Sequence, residues 1–383
     1  MEYRLEQKVK VVVSRELSKS ILEILADRKY AKPLIVIDKF LLETPEIKKL
    51  LASLEAQKID FVIHDEVVPD PPTSVVDHGA QIFNDNNCDC VIGIGGGSSI
   101  DSARGINIVR TFGGKISDYA NGKEITERCP GLIAVPTTSG TGSELSNALI
   151  VSDETTHEKL AILSNNAVSE FAILDPVLVA TLPQSMTIAT GLDTFAHAAE
   201  GYTSNLSTPV LDAICEKIMY LVVKYLPKAV ANGEDLEARQ EMMVAAALGG
   251  WVLNNSGTHV GHSQAHVLGP IYKIPHGMAC AYAMPGTLEY TAPVKPKKIR
   301  EIGYILGASF PEDATDLEIG QVTAEKFKDF RDNVLGLRPF ADLEVDHDDL
   351  MTNVSKVVNE RFAGNAPMEI DDKLAGILLE MFG

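Results

Sequence analysis

The sequence predicts a doubly wound parallel α/β domain followed by an all-helical one. Three observations carry this prediction. Short β-branched runs alternate with amphipathic helical patterns through the first half of the chain. Beyond Leu182-Pro183 the β-type runs nearly vanish and long helical patterns take over. At 383 residues the chain is also too long for one ordinary core, and length alone points to roughly two domains. The expected division is 1–184 and 185–383.

Val11–Val13, Leu34–Asp38, Phe61–His64, Val91–Ile94 and Leu132–Val135 read as strands buried on both faces, since they are apolar throughout rather than alternating. Amphipathic stretches such as SKSILEILADRK, PEIKKLLASLEAQ and SVVDHGAQIFNDN separate them. Strand and helix in alternation argue for a parallel sheet. Further β-type segments around Ala148–Ser152 and Leu160–Leu174 extend this half. From Ser185 onward, PVLDAICEKIMYLVVKYL and EARQEMMVAAALGGWVL typify the helical half.

Lys and Arg total 34 against 53 Asp and Glu, a formal charge of −19. Such a surface repels nucleic-acid phosphate and anionic lipid, and no basic run offsets it, so neither nucleic acid nor a membrane is an expected partner. The five cysteines are scattered and odd in number, which argues for buried free thiols; this includes Cys88-Asp-Cys90, which runs into a strand. The opening MEYRLEQKVK has no apolar signal region, and the expected compartment is the cytoplasm. Between Glu241 and Lys273 there is no Asp, Glu, Lys or Arg. Its apolar core, Met242–Leu253, is too short and its continuation too polar to span a bilayer. The stretch is expected to be protein interior.

Val91–Ile94 leads into Gly95-Gly96-Gly97-Ser98-Ser99-Ile100-Asp101 and then a helical pattern. A strand, a glycine turn and a helix start present free N–H groups to an anion. The spacing matches neither the dinucleotide fingerprint nor a Walker loop, so this is a phosphate cradle or a plain tight turn. A second small-residue loop, Pro136–Glu144, follows the strand Leu132–Val135. It is either a surface loop or a neighbouring ligand loop, and two such loops after two strands favour a dinucleotide. Asp38, ending PLIVID, either caps the next turn or accepts from the adenosine ribose. In the second role it favours NAD over NADP.

His262 and His266 are spaced i, i+4, as are Asp193 and His197 within GLDTFAHAAEGY, so each pair shares one helix face. Gly269-Pro270 is expected to break the helix and turn His276 back towards His262. A buried, unpaired carboxylate is costly, and a cation offsets that cost. Asp193, His197, His262 and His276 thus form a candidate three-nitrogen, one-oxygen site for a divalent ion, with Fe2+ and Zn2+ both compatible. His259 is left as a surface residue or a support for the ligands.

GGGSSID, PTTSGTGSE, GLDTFAHAAEGY and GHSQAHVLGPIYKIPHG together resemble the iron-containing (group III) alcohol dehydrogenases. The resemblance runs from roughly residue 30 to 290. It implies a dehydroquinate synthase-like plan: a dinucleotide-binding domain, a helical metal-binding domain, and the same four metal ligands. It places cofactor contacts on Asp38, Gly96, Gly97, Ser98, Asp101, Thr137, Thr138, Ser146, Lys159 and Leu178, and an additional histidine at His266. Two positions depart from the family's pattern: Arg104 replaces a Lys, and Asp70 an Asn.

The implied activity is reversible hydride transfer between an alcohol, diol or hydroxyaldehyde and NAD. His266 is the candidate relay for the alcohol proton. A glycerol-type polyol dehydrogenase is a close alternative. A dehydroquinate synthase-like cyclase is opposed by the charge-free stretch, because its acidic substrate calls for Lys and Arg. A non-catalytic module with a stapling metal is the third rival. A homo-oligomer is expected.

Overall fold

The computed structural model describes residues 3–156 and 159–383. The chain divides into two compact units. One is built on Glu6–Thr138 and Gly142–Thr181, the other on Leu182–Gly383 with the short segment Ser139–Thr141.

The first unit runs β1 (Lys10–Val13), α1 (Leu17–Arg28), β2 (Pro33–Ile37), α2 (Pro45–Ala56), β3 (Val62–His64) and α3 (Thr73–Asp85). It continues with β4 (Cys90–Gly95), α4 (Gly97–Phe112), α5 (Ile116–Ala120), β5 (Leu132–Pro136), β6 (Ala148–Ser152), β7 (Lys159–Leu163) and β8 (Phe171–Leu174). Six strands form one parallel sheet in the order β1-β8-β5-β4-β2-β3. Apolar clusters fill both faces of this sheet, as in doubly wound folds.

One expectation is corrected. Only the inner strands β2, β4, β5 and β8 are buried throughout. The edge strands are not: Val11 and Val13 are 44% and 47% exposed, and among the described residues β1 pairs only with β8. β6 and β7 do extend the first unit, but not its sheet. They form a separate antiparallel hairpin, with Ala148 opposite Leu163, whose alternating burial fits a ribbon with one covered face.

The chain leaves β2 towards β3 and leaves β4 towards β5, so β2 and β4 flank the point where the winding reverses. Their carboxyl ends stand side by side, Ile37 in register with Ile94. Open α/β sheets bind ligands at this switch point.

The second unit runs α6 (Gln184–Thr203), α7 (Pro209–Ala231), α8 (Leu236–Leu253), α9 (Val260–Tyr272), α10 (His276–Thr291), α11 (Pro296–Ile305) and α12 (Asp316–Asp329), then shorter segments to Asp372–Glu380. One apolar cluster joins them, with Phe195 of α6 against Phe327 of α12 at 5.1 Å between ring centres. From Thr187 to Thr203 every residue of α6 except Thr190 is buried, which marks it as the central helix of the unit.

The charge-free stretch forms most of α8, the loop after it, and α9. It is buried through much of its length but emerges at its end, where Ile271 is 43% exposed. The helix does not break at Gly269-Pro270. Pro270 lies inside α9, with only Ile271 and Tyr272 following it in the helix. The chain reverses instead at Lys273 (φ +54°), whose N–H reaches Gly269 O, and at Pro275 before α10. All five cysteines are buried free thiols, as the sequence indicated. Among the described residues no helix is long and apolar enough to cross a membrane.

Candidate metal centre and cofactor cradle

Because α6 is buried almost all round, its polar residues are confined to the interior. Asp193, His197 and Glu200 follow at i, i+4 and i+7, on one face. Asp193 Oδ1 lies 3.6 Å from His197 Nε2, 3.6 Å from His262 Nε2 and 3.5 Å from His276 Nε2. All four residues of the predicted set are therefore together. His276 gets there because α10 begins at it, against α6. A Cβ on Gly277 would lie 2.0 Å from Ala189 O and 3.1 Å from Asp193 Cβ, so only glycine lets this first turn settle there.

The separations are too long for good hydrogen bonds. As three of the six ligand–ligand distances, they are compatible with a shared zinc-like ion, whose tetrahedral ligands stand about 3.4 Å apart; His197 is not in the group whose ligand atoms all lie within 4.8 Å of one another. Asp193 Oδ1 and His262 Nε2 are buried without a hydrogen-bond partner, a costly state that a cation relieves. Burial also drives His197 down to about 4, against the pull of Asp193, so it is neutral at pH 7 with a lone pair to give. Burial opposes charge on Asp193 too, but His197, His276 and His262 outweigh it and hold the carboxyl far below its usual range. Neutral imidazole and ionised carboxylate are the forms that bind metal. The donor set fits a divalent ion, and it opens at one side only: the His276 side chain is 41% exposed, while those of Asp193, His197 and His262 are at most 5%.

Cys280, one turn beyond His276, was read only as a buried thiol. Its Sγ lies 3.6 Å from His276 Nε2, and ligand atoms of Asp193, His262, His276 and Cys280 fall within 4.8 Å of one another. Burial raises this thiol to about 12, so it stays protonated at neutral pH.

Glu200 escaped the sequence reading. It is fully buried and accepts from His262 Nδ1 at 2.7 Å, His259 N at 2.6 Å and His262 N at 3.3 Å. Burial opposes its charge, yet His262 and His259 bring it down to about 2. A carboxylate on Nδ1 fixes the tautomer that leaves Nε2 free towards Asp193. Its spacing from Asp193 was the available signal. His259 is buried rather than superficial; its Nε2 lies 2.9 Å from Thr203 Oγ1.

His266 stands outside this ring. Its imidazole stacks on that of His276 at 5.3 Å and 14°, and its side chain is 35% exposed. Glu360 Oε1 lies 3.2 Å from His266 Nδ1, and Glu360 Oε2 accepts from Ser263 Oγ at 2.7 Å and Phe362 N at 2.8 Å. Burial raises the Glu360 carboxyl, but His266 and Ser263 bring it below its usual range. Nothing near His266 in sequence announces a partner 94 residues away.

The predicted cofactor residues lie in the other unit, most of them at the carboxyl ends of β2, β4 and β5. Gly95 adopts φ +149°, and a Cβ there would strike Ser99 Oγ at 2.2 Å. The N-terminus of α4 follows with Gly96 as its cap, and no side chain occupies the cap. The first amides of the helix, Gly97 and Ser98, are thus available to an anion. Thr137 N donates to Gly95 O at 2.9 Å, which joins the two loops, and Thr138 lies near Gly96.

Asp38 caps the next turn through Oδ1, which accepts from Phe40 N at 2.8 Å. Asp101 Oδ2 accepts from Ile150 N at 3.0 Å and so anchors the hairpin; burial raises its carboxyl to about 6, against Arg104. Arg104 is wholly buried and donates to Ser143 O and Ala148 O, so this departure from the family ties the second loop to the hairpin. Ser146 Oγ accepts from Ala148 N at 3.1 Å. Lys159 pairs with Asp70 at 2.8 Å, uniting a predicted contact with the other departure. Leu178 packs on the sheet.

Residues 9–176 match the iron-containing alcohol dehydrogenases, and residues 187–380 match the carboxyl-terminal domain of the same family. Over 276 residues the chain is 37% identical to the NAD-dependent methanol dehydrogenase of Bacillus methanolicus, covering 72% of each. It is 35% identical over 278 residues to the 1,3-propanediol dehydrogenase of Citrobacter freundii, again covering 72% of each. The alcohol dehydrogenase from Oenococcus oeni has the same fold, with a TM-score of 0.93 and 28% identity across 100% of both chains. With both halves matched and the buried donor set in place, the chain belongs to the iron-containing alcohol dehydrogenase family.

Proposed function

We propose that this chain oxidises a small alcohol or diol to its aldehyde or ketone with NAD, and catalyses the reverse reduction. The observation that carries the reading is the meeting of three imidazole Nε2 atoms within 3.6 Å of Asp193 Oδ1. Asp193, His197, His262 and His276 hold Fe2+ or Zn2+. Bound there, the ion supplies a Lewis acid for the alcohol oxygen, and NAD supplies the hydride acceptor.

The chain's own residues do the rest. Gly96, Gly97 and Ser98 offer the cofactor's pyrophosphate the amides and positive end of α4, beside Thr137 and Thr138. Asp38, with Oδ1 engaged by Phe40, keeps Oδ2 for the ribose hydroxyls and repels a 2′-phosphate. Asp101 and Ser146 hold the hairpin that carries Lys159, and Leu178 gives an apolar contact. His266, fixed by Glu360 at Nδ1 and partly open to solvent, takes the alcohol proton and passes it out. The uncharged wall of α8 and α9 keeps water from competing.

A small primary alcohol or diol comes first among substrates, a reading supported by the methanol and propanediol dehydrogenases among the relatives. The apolar, exposed edge of β1 supports a homo-oligomer in which a second copy covers Val11 and Val13. Five reduced thiols suit the cytoplasm. The test is a panel of alcohols and aldehydes, assayed with NAD and NADP after reconstitution with Fe2+ or Zn2+. Metal-dependent NADH formation is expected. A metal-loaded protein without turnover, or a preference for NADP, overturns the corresponding part of the reading.

A further inference from the structure

A second group of metal-type ligands lies in the first unit; none of its residues is assigned above to metal or cofactor, although Glu66 forms an isolated antiparallel bridge with Asp38. β3 ends at His64, and Glu66 follows two residues later. His78 projects from α3. One ligand atom from each of His64, Glu66 and His78 lies within 4.8 Å of those of the other two. The rings of His64 and His78 meet edge to face at 5.9 Å, and His78 Nδ1 is 2.9 Å from Glu66 Oε2.

His64 is what distinguishes this group from a chance surface pair. It is 1% exposed. Its Nε2 lies 3.1 Å from the carbonyl oxygen of Val75, and a carbonyl can only accept, so Nε2 carries the proton. Nδ1 is therefore an unprotonated lone pair, and it is buried without a hydrogen-bond partner. An imidazole with one nitrogen tied to a carbonyl and the other unused is the arrangement of a metal-ligating histidine. Buried polar atoms without a partner are uncommon and call for an explanation.

We propose that His64 Nδ1, a Glu66 carboxylate oxygen and one ring nitrogen of His78 bind a second divalent ion of the zinc type. Two imidazoles and one carboxylate form a zinc donor set that leaves a position for water, and borderline cations are preferred over Mg2+ or Ca2+ by the nitrogen ligands. The side chains of His78 and Glu66 are 48% and 50% exposed. They give the ion a path from solvent and are free to close on it, while His64 stays fixed.

The test is zinc content. Full-length enzyme is stripped with a chelator, dialysed against Zn2+ and analysed for bound metal per chain. Two equivalents are expected in the wild type and one in Glu66→Gln and in His78→Ala, both changes at exposed side chains. His262→Ala, which damages the Asp193 centre instead, is expected to retain one, and its combination with His78→Ala none. One equivalent in the wild type, or two in both exposed-site variants, overturns the proposal. Two equivalents in His262→Ala would count against the Asp193 centre and leave this one standing.

Discussion

His262 gives Nδ1 to Glu200 at 2.7 Å and so keeps only Nε2 for the Asp193 side. In the proposed metal centre, a ligand's orientation would thus be set by a group that does not touch the ion. Glu200→Gln is expected to weaken metal binding by roughly 10- to 100-fold, because the amide holds the ring without favouring Nδ1–H as a carboxylate does. Competition against a calibrated chelator measures it. Affinity equal to the wild type would remove Glu200 from this role.

His197 and Cys280 are rival fourth donors beside Asp193, His262 and His276. His197, whose Nε2 lies 3.6 Å from Asp193 Oδ1 on the same helix face, is expected to be the donor and Cys280 the bystander. Cys280→Ser should leave bound iron or zinc near one equivalent at this centre, while His197→Ala should lose most of it. The reverse pattern, read by metal analysis, would hand the position to the thiol.

His266→Ala is expected to lower kcat by about 100-fold with metal content intact. Glu360→Gln should act through the same ring, with a smaller loss and a shifted pH dependence of kcat. Loss of metal in His266→Ala would make the residue a ligand and end the relay assignment.

The metal-free protein should lose stability on acidification. His197 is held at about 4 against an ordinary 6.5. Between those values the unfolded chain binds a proton that the folded one refuses, so stability falls as pH drops from 6.5 towards 4, by roughly 1.4 kcal/mol per pH unit from this group. Above 6.5 the contribution is flat. Denaturant midpoints of the stripped wild type and His197→Asn should diverge on acidification, the variant having the shallower slope; parallel curves would contradict the assignment.

Much of this was legible in the chain. Inner strands such as Val91–Ile94 declare themselves because burial on both faces demands unbroken apolar runs. Asp193 with His197, and His262 with His266, declare themselves because helical spacing puts each pair on one face. What stayed hidden depends on distance along the chain. Glu200 is one acid among 53 until α9 is packed against it, and Glu360 meets His266 only through the fold. The hairpin of β6 and β7 has strand-like residues, but nothing local says which strand a strand will pair with. Pro270 misled because α9 continues for two residues past it before the chain reverses at Lys273. Asp38 kept two readings open, and the cap is the one seen here, at the oxygen that a ribose would not need.

Glu200 has a further consequence. The same carboxylate that orients His262 also accepts the backbone N–H groups of His259 and His262, at the start of α9. It therefore joins the catalytic apparatus to the scaffold in one group. A change at this position that removed its acceptor oxygens would cost the protein more than activity. It would also fray the helix that carries two of the site's histidines, so in a living cell the change would register as diminished abundance as well as diminished activity. Selection on folding and selection on chemistry thus converge on a single side chain.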